Sequence, residues 1–144
     1  METDFISRHK DSDTFIIRRS SFFDAPVHLK GNLIVGTSCN FWSDLATTGA
    51  LKLGKGVAVK GSVRAESVII GAHSVIEGDV KTEQDCTVLD GARIGGDIVA
   101  GGKIMLRPNI KAGIVDAMGN IEITGKSYVT ELRAGAKIIA TKHS

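Results

Sequence analysis

Residues 61–83 read GSVRAESVIIGAHSVIEGDVKTE, and the stretch repeats itself: GSVRA at 61 returns as GDVKT at 78. The echo extends in both directions, as SDLAT at 43, GDIVA at 96, GIVDA at 113 or AGIVD at 112, and TELRA at 130, so successive starts differ by 17 or 18 residues apart from that one-residue ambiguity. Apolar pairs two apart run in phase with it: Leu33/Val35, Leu51/Leu53, Val68/Ile70, Cys86/Val88, Ile104/Leu106, Ile121/Ile123 and Ile138/Ala140. A third column holds Phe41, Val59, Ile76, Ile94, Ile110 and Tyr128.

Inward residues two apart have the period of a strand, and branched side chains suit a pleated surface. Three short strands in every 17 or 18 residues make one triangular coil of a β-solenoid, stacked on the next at about 4.8 Å. The expected fold is therefore all-β, a single-stranded parallel β-helix of about six coils over residues 30–141. Residues 1–29 are read as a flexible N-terminal tail and 142–144 as a short C-terminal tail. No coil can bury its apolar residues alone, which explains why the same pattern is written again and again. Small residues at Thr47, Ala65, Thr82, Ala100 and Ala134 mark a tight corner, and Gly61, Gly78 and Gly96 are expected to supply positive φ there.

The chain has 144 residues, 17 glycines and a net charge of +2, which fits one folded unit. Residues 1–26 carry four basic and five acidic groups, and the remainder fourteen and eleven. Neither part has the concentrated basic charge of a nucleic-acid binder. Neither a secretory leader nor an apolar run long enough to span a bilayer is evident, so a cytoplasmic protein is expected. Cys39 and Cys86 lack metal-ligand spacing and fall in different columns, which reads as two core thiols with no disulfide. Asp44, Asp79 and Asp97 recur at one position of the repeat. They read as a solvated face rather than a stacked metal ladder, because serine takes that place at Ser62 and no calcium-binding nonapeptide accompanies them.

A rival grammar is the hexapeptide repeat of left-handed β-helix acyltransferases. Steps of six from Leu45 reach Leu51, Val57, Val63, Ile69 and Val75 before the phase breaks at Lys81. Enzymes of that class generally need a histidine base, or three histidines for a metal at a subunit interface. Only His73 lies well inside the repeat, so the alternative function is an acyltransferase that uses His73.

The stretch IIGAHSVIEGDVKTEQDCTVLDGARIGGDIVAGGKIMLRP, with its recurrent G-D-[VI] corner, and LRPNIKAGIVDA after it, resemble the bactofilins, a family of polymer-forming cytoskeletal proteins. The resemblance covers about residues 30–140. It implies a right-handed coil, a sense that the general preference of crossovers also favours. It further implies a non-enzymatic scaffold without cofactor that polymerises with itself into non-polar filaments without nucleotide, with no nucleic-acid partner. SDLAT and TELRA depart from the pattern in lacking the glycine.

Solenoid ends expose strand edges and core, and no capping helix is evident at either end here. Coaxial stacking is expected to use Leu33, Val35 and Phe41 at the N-terminal end and Ile138 and Ile139 at the C-terminal end. The segment Phe15, Ile16, Ile17, Arg18, Arg19, Phe22 and Phe23 has two readings: a contact with the inner face of the cell membrane, which the family resemblance also implies for the tail, or a plug over the first coil.

Overall fold

The computed structural model describes residues 6–9 and 13–142. Among them there is no helix; a parallel β-solenoid of seven coils accounts for nearly all of the chain. β1 (Ile6–His9) precedes the coils. The first coil comprises β2 (Thr14–Ile17), β3 (Phe22–Phe23) and β4 (Val27–Leu29), and the second β5 (Asn32–Val35), β6 (Asn40–Phe41) and β7 (Leu45–Thr47). The third is β8 (Ala50–Leu53), β9 (Ala58–Val59) and β10 (Val63–Ala65), the fourth β11 (Ser67–Ile70), β12 (Val75–Ile76) and β13 (Val80–Thr82), and the fifth β14 (Cys86–Val88), β15 (Arg93–Ile94) and β16 (Ile98–Ala100). In the sixth, β17 (Ile104–Leu106) leads into β18 (Ile110–Ala117), which spans two sides of the triangle; the seventh repeats this with β19 (Ile121–Thr124) and β20 (Ser127–Ala134), and β21 (Ile138–Thr141) begins a further turn.

The predicted columns are the core. Leu33, Leu51, Val68, Cys86, Ile104, Ile121 and Ile138 stand in register along one sheet, and Leu45, Val63, Val80, Ile98, Val115 and Leu132 along another side. The pairing of Ile98 with Val115 selects GIVDA at 113 for the ambiguous unit. One column needs correction. Arg93 pairs with Lys111 and Ala112 with Val129, so Ala112 and Val129 continue the line of Ile94. Ile110 is buried one position-pair earlier, following Cys39, Val57, Ser74 and Ala92 at the inward corner, while Tyr128 points out and is 59% exposed. The hexad series also leaves the core: Ile69 and Val75 lie on the outside, at 39% and 41% exposure.

The N-terminal boundary also moves. Residues 14–29 are a full coil in parallel register with the next, Phe15 opposite Leu33, Phe23 opposite Phe41 and Val27 opposite Leu45. Phe23 and Phe41 stack nearly parallel with centroids 5.3 Å apart. The coil count therefore rises from six to seven. Of the expected flexible tails, residues 1–5, 10–12 and 143–144 lie outside the described residues.

The aspartate series has a role that neither earlier reading gave it. Asp44 Oδ1 accepts a hydrogen bond from the Ser62 N–H at 2.8 Å, Ser62 Oγ from the Asp79 N–H at 3.1 Å, Asp79 Oδ1 from the Asp97 N–H at 2.8 Å, and Asp97 Oδ1 from the Ile114 N–H at 2.8 Å. Each side chain thus satisfies a corner amide of the coil above, one the strand ladder leaves over. Gly61, Gly78, Gly96 and Gly113 sit just before those amides. None has positive φ, contrary to expectation. A Cβ there would stand 2.0–2.5 Å from the side-chain oxygen of the coil below and 2.7–2.9 Å from its backbone, so the acceptor and the close approach of the two coils together favour glycine. The rule accounts for the exceptions too. Ser43 lies above Ala25, next to Pro26, and Thr130 lies above Gly113, next to Ile114; neither neighbour offers an acceptor, and neither position is glycine. A second corner repeats the device with Asn32, Asp85 and Asn120, which accept from Ala50, Lys103 and Lys137 at 2.9–3.0 Å.

Placing a methyl group at residue 96 tests the close approach directly. Gly96→Ala is expected to cost about 2 kcal/mol in chemical denaturation. The penalty should shrink in an Asp79→Ala background, because the two changes share one contact; equal penalties in both backgrounds would show that the aspartate does not set the glycine.

Candidate functional site

The residues expected at the two ends fare differently. Leu33, Val35 and Phe41 are 1–2% exposed, sealed beneath the first coil, and so cannot form an end surface. That coil is itself covered: Ile17 is fully buried and Phe23 is 2% exposed although, among the described residues, no further coil lies beyond them. β1 runs antiparallel along the outer edge of β2, pairing Ile6 with Ile17 and His9 with Thr14. The other two outer strands, β3 and β4, have two and three residues, and Pro26 precedes β4. Short strands and proline are common ways of blunting an edge.

The C-terminal end is built the opposite way. β20 has eight residues and β21 four, and among the described residues nothing pairs with their outer edges. Ile138 is 50% exposed and Ile139 41%, while Val129, Leu132 and Ala134 are only partly covered. Ile138 continues the core column and Ile139 points to the outer face, so only the first belongs to the exposed end of the core. The end joins open amides and carbonyls to apolar side chains.

The N-terminal segment divides by strand alternation. Ile17 and Phe23 point into the core, whereas Ile16, Arg18, Arg19 and Phe22 are exposed. Phe22 meets the exposed Trp42 edge to face, with centroids 5.0 Å apart, and Lys60 Nζ lies 4.3 Å above the Trp42 ring. The signal for this patch is the pair of aromatic doublets, Phe22-Phe23 and Phe41-Trp42. In the first the outward ring precedes the inward one, and in the second it follows, so the outward rings meet diagonally across one face.

His73 occupies a different environment. It is an exposed corner residue with φ of 57°, in a series of left-handed corners made by Ser20, Ser38, Gly56, His73, Gly91 and Asn109. Its ring lies over Gly91, where a Cβ would come within 2.6 Å of Nδ1. Among the described residues no group of three His, Cys, Asp or Glu side chains is arranged to hold a metal ion. A groove of about 490 Å³ runs along the β4, β7 and β10 side, lined by His28, Lys30, Arg64, Glu66 and Glu83 among others. No protein-family model, curated protein or solved structure matches this chain.

Both cysteines are buried and unpaired. Burial pushes the Cys86 thiol up to about 12, with Asp85 adding to the shift, and desolvation raises Cys39 against hydrogen bonds from Ser21 and Ser20. The folded state therefore favours the neutral thiol of Cys86. Its contribution is complete below the ordinary value near 9 and is lost as pH rises towards 12. Wild-type protein should lose thermal stability faster than Cys86→Val over that interval, and parallel decline of the two in a melting series would contradict the burial argument.

Proposed function

We propose that the chain is a self-assembling scaffold, of the cytoskeletal kind that the resemblance to bactofilins implies, and that it associates by stacking solenoid ends without nucleotide and without an active site of its own. The observation that carries the reading is the C-terminal end, where β20 and β21 leave two open strand edges around Ile138. Stacking on such an end continues the backbone ladder and covers apolar surface in one step. The sides of the rod support the same reading, since many outward positions there carry charge, such as Lys52, Arg64, Lys81, Arg93 and Lys111.

The decisive comparison is between wild type and Ile138→Lys in buffer without nucleotide, by sedimentation velocity and negative-stain microscopy. Association in the wild type that disappears in a still-folded variant is the expected result. Monomers in both would overturn the proposal and return attention to His73, for which an acyl-transfer assay of His73→Ala is the corresponding test.

The same reading places the protein in the cytoplasm with its first coils against the membrane. Between residues 13 and 65 there are seven basic and three acidic side chains, and the exposed Phe22 and Trp42 lie among them. Aromatic rings flanked by cations suit the interface of an anionic bilayer. Trp42 is the only tryptophan, so its emission reports this surface alone. It should shift to the blue with anionic vesicles and not with neutral ones, and the shift should fade with added salt or in Lys60→Glu; an unchanged spectrum with anionic vesicles would remove the membrane from the proposal.

A further inference from the structure

The outward column of the β4, β7 and β10 side runs His28, Ala46, Arg64, Lys81, Val99, Asp116 and Arg133 in parallel register. Ala46 is the one side chain of a single carbon in it, so the face has a notch between His28 on the first coil and Arg64 on the third. The groove of about 490 Å³ opens at this notch. Its other wall is the corner that follows each strand, where Lys30, Thr48, Glu66 and Glu83 succeed one another. The charge of the groove is therefore ordered along the rod: His28 and Lys30 at the first coil, Arg64 beyond the notch, and Glu66 and Glu83 at the third and fourth. Arg64 has Lys81 as register neighbour on one side and Ala46 on the other, so like-charge repulsion favours the notch side for its guanidinium. All five charged side chains are exposed, and among the described residues no ion pair joins any of them to another group. A groove that carries both signs without neutralising itself is complementary to a ligand whose own charges are held apart.

From this arrangement we infer that the groove binds a short extended peptide with opposite charges at its two ends, its carboxylate held over Ala46 by His28, Lys30 and Arg64 and its ammonium by Glu66 and Glu83. Length sets the ligand class. Glu83 lies two strand spacings from the notch and three from His28, about 10–14 Å. An extended chain of three or four residues covers that span. A single amino acid, with ammonium and carboxylate on one carbon, is too short to reach both ends. The Thr48 hydroxyl already accepts a hydrogen bond from the Gly31 amide at 2.9 Å, so the charged rim rather than the floor supplies the recognition. The groove lies on a side of the rod and stays open when ends are stacked, so the inference holds or fails apart from the stacking reading.

Equilibrium dialysis of the full-length protein against two tetrapeptides of one composition provides the test. Lys-Ala-Ala-Asp with free termini gathers positive charge at its first residue and negative charge at its last. Asp-Ala-Ala-Lys neutralises itself at each end. The first should bind about tenfold more tightly than the second. Lys30→Glu and Glu83→Lys should each weaken the first peptide by about tenfold and narrow its preference over the second. Ala46→Leu adds no charge and fills the notch, and it should abolish binding with an unchanged thermal melt, since the position is on the outer face. Equal affinity for the two peptides would overturn the separation of charge. A loss with Lys30→Glu but not with Glu83→Lys would reduce the groove to an anion site and overturn the two-ended ligand. Binding that survives Ala46→Leu would place the peptide elsewhere, and no binding at millimolar peptide would overturn the inference whether or not the protein forms filaments.

Discussion

The structure depends on corner amides that the strand ladder does not satisfy. In a parallel solenoid each side of the triangle pairs with the same side of the next coil, but the chain must turn between sides, and the turning amides still need acceptors. Here a side chain from the coil below supplies one: Asp44, Ser62, Asp79 and Asp97 in one series, Asn32, Asp85 and Asn120 in another. A side chain reaching upward leaves no room for a Cβ beside the amide it serves. Glycine thus answers both the acceptor one coil earlier and the backbone that carries it, and the two residues are a single motif split across the repeat. Ala136 marks the limit of the rule. It precedes the Lys137 amide that Asn120 serves, and its own N–H lies 3.4 Å from the Gly119 carbonyl, against 2.9 Å for Gly102 over Gln84.

That interaction also explains what was legible in the sequence. From Leu33 onward the apolar columns, the corner spacing and the glycines share one phase, so the coils could be placed from pattern alone. The first coil lacked the motif, since Pro26 stands where the acceptor should be and the inward residues Phe15, Ile17 and Phe23 sit beside outward Ile16 and Phe22. Alternation was present but the contrast between inside and outside was not, and a core coil looked like an apolar tail. The glycines themselves were visible, yet their reason was not, because a clash between residues 17 or 18 apart requires the stacking register. The error at Ile110 and Tyr128 had another source: β18 and β20 run through two sides of the triangle without the usual break, and the column slipped by two residues at Ile110 and by one at Tyr128.

The candidate site was only half readable. Ile138 was identifiable because it is the last member of a column, and its exposure follows from that position. The N-terminal end moved by a whole coil, carrying Leu33, Val35 and Phe41 into the core. The aromatic patch required knowing that Phe22 and Trp42 share an outer face, which doublets in one dimension do not reveal.

The two ends differ in a way that bears on polarity. A polar rod would be built by setting the C-terminal edges of one copy on the N-terminal edges of the next, every strand continuing in parallel. The longest N-terminal contact for such a ladder is β2, and its outer edge is already occupied by β1 in the opposite sense. What remains there is five residues of β3 and β4, guarded by Pro26, against the twelve residues of β20 and β21. A surface so unequal to its counterpart is a poor receiver for it. The C-terminal edges match one another in length and in apolar content by identity, so in the proposed assembly like-with-like stacking is the contact that the unequal ends would favour, and polarity would cancel across it.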